Sequence, residues 1–236
     1  MTSGIEMQKT INCLFCEKLM LPSSEIVACL FCGKTENADY VCPNGHYMCE
    51  NCRLAPSDKI IKTVCLTTQE MDPLKTAILI MKHPAVQIHG PEHHYLVSSV
   101  LLSTLRNLRK FKVDNTAFDE AIARGKRVLL GSCGLWGVCG AAAGVGIAIS
   151  IVTKATMLSD KERSLSMQAT SGALSKIAKI GGPRCCKASV FAAIEAAAAF
   201  FERELNIKFP SLKKPRPCYF KDLNKECLRD RCSYWR

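Results

Sequence analysis

Three Cys-x2-Cys pairs are crowded into residues 13–52: Cys13 with Cys16, Cys29 with Cys32, and Cys49 with Cys52, the last preceded by Cys42 and His46. Two sulfurs at that spacing sit close enough to share one tetrahedral ion. A short segment with few large apolar residues needs such a staple to fold at all. Eight ligands make two four-coordinate sites, with zinc the expected ion in each. Tetrahedral all-sulfur sites also accept iron.

The rest of the composition narrows the class. Fifteen cysteines stand in 236 residues, and the polar stretch from Met1 to Thr10 lacks the apolar core of a secretory signal. Dense cysteine is then expected in a reducing cytosol, as metal ligands rather than disulfides. Hydrophobic residues at 48% and charged residues at 22% exclude a disordered chain, and the length predicts two units. The formal charge of +11 lies outside the cysteine-rich segment, since residues 1–56 carry four basic and six acidic groups. Arg106, Arg109, Lys110 and Lys112 form the densest basic patch, without the aromatics of a single-strand nucleic-acid platform. Such a surface keeps a protein in solution and also attracts acidic partners or nucleic acid.

The run CPNGHYMCENC resembles the second half of a RING-type or related treble-clef zinc module, in which alternate ligand pairs share a metal. That resemblance implies one site of Cys29, Cys32, Cys49 and Cys52 and another of Cys13, Cys16, Cys42 and His46. A RING places its last pair downstream. Here only Cys65 follows nearby, so Cys13 and Cys16 substitute from upstream.

From Pro56 the pattern is helical with short breaks. Ser57 or Asp58 is expected to cap a helix to about Gln69, and Asp72-Pro73 to open a second ending before Pro84. Pro91 begins a third, in which Leu96, Val100, Leu101, Leu105 and Leu108 share one side as an amphipathic, core-facing face. Thr116 is expected to cap a fourth through Lys126. Ser159-x2-Glu162 reads as a capping box for a helix that stops at Gly181-Gly182-Pro183. The alanine-rich run after Cys185 and Cys186 suits close helix packing. The expected fold is mainly α: a zinc module at 1–56, a helical bundle at 57–210, and a cysteine-containing tail at 211–236 that packs on the bundle. No internal repeat and no phosphate- or dinucleotide-binding glycine fingerprint is expected.

Val128 to Val152 is an uncharged run holding Cys133 and Cys139 among six glycines. Glycines allow close backbone approach, and thiols near a helix start are favoured as thiolates by its free N–H groups. Cys185 and Cys186 stand in a second glycine-rich helix start. If the two starts lie side by side, four sulfurs converge, and adjacent cysteines suit a multi-iron cluster or redox pair better than one zinc ion. Buried structural thiols at a helix junction are the alternative. The run also meets the roughly 20 residues a bilayer requires, although its glycines and cysteines make it a weak span and no membrane partner is expected. His93 and His94 open the third helix as metal ligands, acid–base groups or satisfied core residues, and about 100° between neighbours lets at most one reach a shared site. Cys218, Cys227 and Cys232 lie in a polar tail that cannot bury them as core, and are expected to bind a further metal with an outside ligand or to fold over the bundle.

GSCGLWGVCGAAAGVGIAIS, GGPRCCKASVFAAIEAAAAF and CYFKDLNKECLRDRC together resemble an uncharacterised prokaryotic family, the domain of unknown function 5714, and through it the C-GCAxxG-C-C redox proteins. The likeness covers nearly all of the chain after the zinc module. It implies redox or iron–sulfur chemistry, carried most directly by Cys139, Cys185 and Cys186. The cysteine that the wider family places before an apolar helix is absent from LVSSVLLSTL, where only His93 and His94 lie close. The expected function is a cytosolic metal-binding protein with two zinc ions and an iron–sulfur or redox site, exchanging electrons or sulfur with a protein partner. An interaction protein holding a protein or nucleic acid is the alternative. No nucleophile stands with a base at motif spacing, so any reaction would draw on the metal site or a partner.

Overall fold

Closely spaced ligand pairs leave the N-terminal segment room only for turns and two-to-three-residue strands. The computed structural model describes residues 11–210, 212 and 218–235, and it divides into one unit ending at Ala55 and a second starting at Pro56. The proline- and lysine-rich stretch at 211 and 213–217 and the polar residues 1–10 lie outside the described residues. In the first unit β1 (Leu21–Pro22) pairs with β4 (Tyr40–Val41), and β2 (Ile26–Ala28) pairs with β3 (Thr35–Asn37), both antiparallel. A short helix, α1 (Glu50–Arg53), carries Cys52.

Two of the turns are copies. In CLFCEK (13–18) and CLFCGK (29–34) the first cysteine's N–H donates to the lysine carbonyl at 2.8 Å, and its carbonyl accepts from the fifth residue at 2.8 Å. That fifth residue is left-handed in both, Glu17 at φ 61° and Gly33 at φ 73°. The expectation of no internal repeat is therefore corrected: a six-residue repeat encodes the metal-binding turn twice.

The second unit is helical: α2 (Ser57–Thr67), α3 (Pro73–Met81), α4 (Glu92–Asn107), α5 (Asn115–Lys126), α6 (Ser132–Leu135), α7 (Gly140–Thr153), α8 (Lys161–Ala178) and α9 (Cys186–Leu205). α4 lies at the centre, against α2, α3, α5, α7 and α9. Every residue from Glu92 to Leu105 is buried, so the helix is not amphipathic as expected but enclosed on all sides. Its serines and threonine hid this in the sequence; the Ser98 hydroxyl bonds the Tyr95 carbonyl and that of Thr104 bonds the Val100 carbonyl, which removes part of the cost of burying them.

Glycines set how closely helices approach α4. A Cβ on Gly125 would stand 2.6 Å from that of Tyr95, one on Gly140 would overlap the His94 ring, and one on Gly144 would stand 2.5 Å from the His94 carbonyl oxygen. The start of α4 is thus held against α5 and α7.

Three caps differ from expectation. Pro56, not Ser57 or Asp58, is the cap residue of α2. Asp114, not Thr116, caps α5, its carboxylate accepting from the Ala117 N–H at 3.1 Å while Thr116 donates to that same carboxylate. The Ser159 hydroxyl accepts from Thr156 N–H and is not used to cap α8. Asp72 caps α3 through the Leu74 N–H, and Gly181 and Gly182 are left-handed where the chain turns between α8 and α9. Within the described residues no helix is long and apolar enough to cross a membrane; α7, of 14 residues, covers only the second half of the uncharged run.

The last described segment, 218–235, lies on the first half of α9. The Tyr234 hydroxyl donates to Glu195 at 2.9 Å, the Tyr234 and Phe191 rings stand 5.2 Å apart, and Leu228 fills the space beside Gly182 where a side chain would otherwise sit.

Candidate metal centres and a thiol-lined cavity

The first unit brings eight ligands into two groups, Cys13, Cys16, Cys42 and His46 in one and Cys29, Cys32, Cys49 and Cys52 in the other, each with all ligand atoms within 4.8 Å of one another. In the first, Cys16 and Cys42 sulfurs are 3.4 Å apart, and His46 Nδ1 lies 3.4 Å from Cys13 and 3.6 Å from Cys42. In the second, Cys32 and Cys49 sulfurs are 3.7 Å apart. Four thiolates about 2.3 Å from one zinc ion would stand roughly 3.8 Å from each other, so both groups have the dimensions of a single-ion site. The pairs alternate along the chain, first with third and second with fourth.

Backbone amides tune these thiols. The Phe15 N–H points at Cys13 and the Asn44 N–H at Cys42, each at 3.4 Å, and the Cys49 N–H at Cys29 at 3.4 Å. The Lys18 N–H, and then Cys42 and His46, lower the Cys16 thiol to about 6 against the opposing effect of burial. Burial pushes Cys29 up, but the N–H groups of Cys49, Cys32 and Phe31 outweigh it and hold the thiol below its ordinary value. Burial raises Cys13, Cys49 and Cys52. A site with some thiols already deprotonated and others held neutral is completed by a cation that displaces the remaining protons. Cys65, the downstream cysteine, is fully buried in α2 and raised by that burial, with no part in either group.

The second unit encloses a cavity of about 400 Å³ whose lining includes Cys133, Cys139, Cys185, Cys186, His93 and His94. The left-handed Gly131 starts α6 and presents Cys133; Cys139 is the cap residue of α7 and Cys185 that of α9. Both histidines line the cavity, against the expectation that at most one would reach it. Backbone carbonyls orient each ring: Gly90 for His93 Nδ1 at 2.9 Å, and Val128 for His94 Nδ1 at 3.1 Å.

A carbonyl only accepts, so Nδ1 of His93 carries the proton and Nε2 keeps its lone pair. That Nε2 is buried with no hydrogen-bond partner, as is Glu92 Oε1. Burial, then the Lys187 charge, lower the His93 imidazolium to about 3, so the ring is neutral. Burial raises the Cys186 thiol to about 11, the Gly90 N–H opposes, and negative charge on Cys139, Cys185 and Cys133 adds to the rise. A neutral imidazole with a free nitrogen and a set of neighbouring thiols that lose their protons on binding are the donors a thiophilic metal centre takes. The cavity sulfurs do not close to single-ion distances: among the described residues only the two N-terminal groups bring three or more ligand atoms within 4.8 Å.

Cys185 faces two ways. It lines the cavity, yet its sulfur accepts from the Ala188 N–H and from the Asn224 amide, each at 3.5 Å, which ties it to the C-terminal segment. Cys218, Cys227 and Cys232 lie in that segment, all partly buried. Two further residues carry no signal of their own in the sequence: Gly90, which holds His93 with its carbonyl and Cys186 with its N–H, and Lys187, fully buried beside Cys186 with its ammonium on the Met81 and Val86 carbonyls at 3.4 and 3.2 Å. The basic patch loses Arg106, whose guanidinium bonds the Cys65 carbonyl at 2.9 Å.

A family model matches residues 61–235, which are the second unit from inside α2 to the end of the C-terminal segment. The chain belongs to the family of unknown function DUF5714. The DUF5714 match takes in the cavity and Cys218, Cys227 and Cys232, and it leaves out the cysteine-rich unit ending at Ala55. No curated protein and no solved structure matches the chain, and the comparisons do not return the C-GCAxxG-C-C proteins.

Proposed function

We propose that this DUF5714 protein is a redox metalloprotein: a two-zinc module joined to a helical domain whose cavity holds an iron–sulfur centre on Cys133, Cys139, Cys186 and His93, for electron or sulfur transfer with a protein partner. The observation that supports it best is that His93, whose buried Nε2 has no hydrogen-bond partner, lines the same cavity as the thiols. A group left unsatisfied in the interior costs about 1–3 kcal/mol, and a metal bond would offset that cost. The spread of the sulfurs fits a multi-iron cluster, which takes its thiolates from several directions, better than one ion. When bound, the cluster supplies a one-electron couple. The chain supplies the donors, the Gly90 N–H to Cys186 and the buried Lys187 charge beside it.

Protein purified without oxygen is then brown and contains iron and acid-labile sulfide, and Cys139→Ser and Cys186→Ser each remove the visible absorption. Colourless, iron-free wild-type protein sinks the reading.

A second reading, the first unit as an interaction module for a protein or nucleic acid, is favoured by the apolar side chains it exposes, Ile26 at 72% and Leu14 at 55% among them. Partner binding that survives loss of the cavity cysteines and fails when Leu14 and Ile26 are replaced by serine supports it.

A further inference from the structure

The C-terminal segment does more than cover α9. Its attachment points surround Cys185: the Asn224 amide bonds the Cys185 sulfur, Glu226 lies 3.6 Å from Arg184 and 3.8 Å from His89, and Leu228 seats against Gly182. The segment's cysteines flank those points in sequence, Cys218 before Asn224, and Cys227 and Cys232 on either side of Leu228 and the short 3₁₀ turn Arg229–Arg231.

Two of these cysteines sit in turns like those of the zinc unit. The Phe220 N–H points at the Cys218 sulfur and the Arg229 N–H at that of Cys227, each two residues on and each at 3.4 Å, as Phe15 does for Cys13 and Asn44 for Cys42. Such amides favour thiolate over thiol. Burial raises the Cys185 thiol, the Ala188 N–H opposes it, and negative charge on Cys232 and Cys227 raises it further. Burial likewise raises Cys218, with charge on Cys185, Cys232 and Cys227 adding to it. Geometry brings these turns to one place: Asn224, Glu226 and Leu228 contact Cys185, Arg184 and Gly182, and Phe220 lies against Lys187, so the segments carrying all four cysteines meet at the start of α9.

We propose that Cys185, Cys218, Cys227 and Cys232 bind a second iron–sulfur cluster, separate from the cavity centre, with the neighbouring residues Cys185 and Cys186 each serving a different centre. No three of the four lie within 4.8 Å of one another, as both N-terminal groups do, so the set lacks the dimensions of a single-ion site, whereas a four-iron cluster takes one thiolate per iron from farther apart. Charge balance agrees. A thiolate-bound cluster is anionic, and it would lie at the start of a 20-residue helix, whose dipole favours negative charge, with the buried Lys187 ammonium 4.9 Å from the Phe220 ring in the same segment. This site does not depend on the cavity reading, because it shares no ligand with Cys133, Cys139, Cys186 and His93.

The test uses the full chain, purified anaerobically and reconstituted with ferrous iron and sulfide, beside Cys227→Ser, Cys232→Ser and the cavity double variant Cys139→Ser/Cys186→Ser. Iron and sulfide per chain are expected to fall about twofold in Cys227→Ser and in Cys232→Ser, with zinc unchanged, and the cavity double variant to keep what the tail variants lose. If the cavity holds no cluster, the tail variants lose all iron and the cavity variant none; the tail site then stands and the cavity reading fails. Iron content equal to wild type in both tail variants overturns the proposal. So does a third zinc ion per chain that disappears with them, or a reconstituted wild type without iron.

Discussion

The Nδ1–H of His93 donates to the Gly90 carbonyl at 2.9 Å, and its Nε2 is left buried and without a hydrogen-bond partner in a residue that lines a cavity with four cysteines. If that nitrogen is a ligand, the reduced cluster shows coupling to a histidine nitrogen in pulsed paramagnetic resonance of protein carrying 15N-labelled histidine. His93→Gln removes the coupling, and His93→Cys keeps the cluster while losing the nitrogen. Coupling that persists in His93→Gln assigns it to another histidine.

The two N-terminal groups predict two zinc ions per chain. A thiol reagent that attacks metal-bound cysteines should release about two equivalents, and the unit ending at Ala55 should unfold as they leave, because structural zinc supplies on the order of 10 kcal/mol to such a fold. The helical signal in far-ultraviolet dichroism should stay. Its loss along with the zinc would show that the two units do not fold independently.

Two helical glycines should respond to alanine with opposite sign. Gly144→Ala places a methyl 2.5 Å from the His94 carbonyl oxygen and 3.0 Å from Val97, an overpacking that costs about 1–3 kcal/mol. Gly172→Ala, in α8 with nothing within 4 Å of the added carbon, should gain about 0.5–1 kcal/mol from helix propensity. Thermal unfolding of the two variants checks both signs.

Asn107 donates to the Thr68 carbonyl at 3.0 Å and to that of Glu70 at 2.9 Å, closing the loop after α2. Asn107→Ala leaves the Glu70 carbonyl unpaired and the Thr68 carbonyl with only the Arg106 guanidinium at 3.4 Å, and should cost about 1–2 kcal/mol, independent of salt because no charge is lost. Lys110→Ala, in the same basic stretch but exposed, should change stability by no more than about 0.5 kcal/mol.

The N-terminal cysteine-rich unit was readable because ligand spacing dictates its turns: ligands that must meet at one point leave the chain few conformations. Helices closed by glycine or opened by Asp72-Pro73 were readable for a similar local reason. α4 was not. Ser98, Ser99, Ser103 and Thr104 look like a solvent face, and only the neighbours on all sides make them core. The cavity thiols could be suspected from two glycine-rich helix starts, but not the free nitrogen of His93, which depends on where the Gly90 carbonyl points. Cys185 and Cys186 read as one pair along the chain, and separate only because Asn224 reaches back to the first of them.

The most direct measurement is the Mössbauer spectrum of full-length protein loaded anaerobically with 57Fe, recorded beside Cys139→Ser/Cys186→Ser. The account predicts iron–sulfur cluster doublets in the wild type, with a component that disappears in the double variant. A spectrum unchanged by the two substitutions, or containing only adventitious ferrous iron, would contradict it.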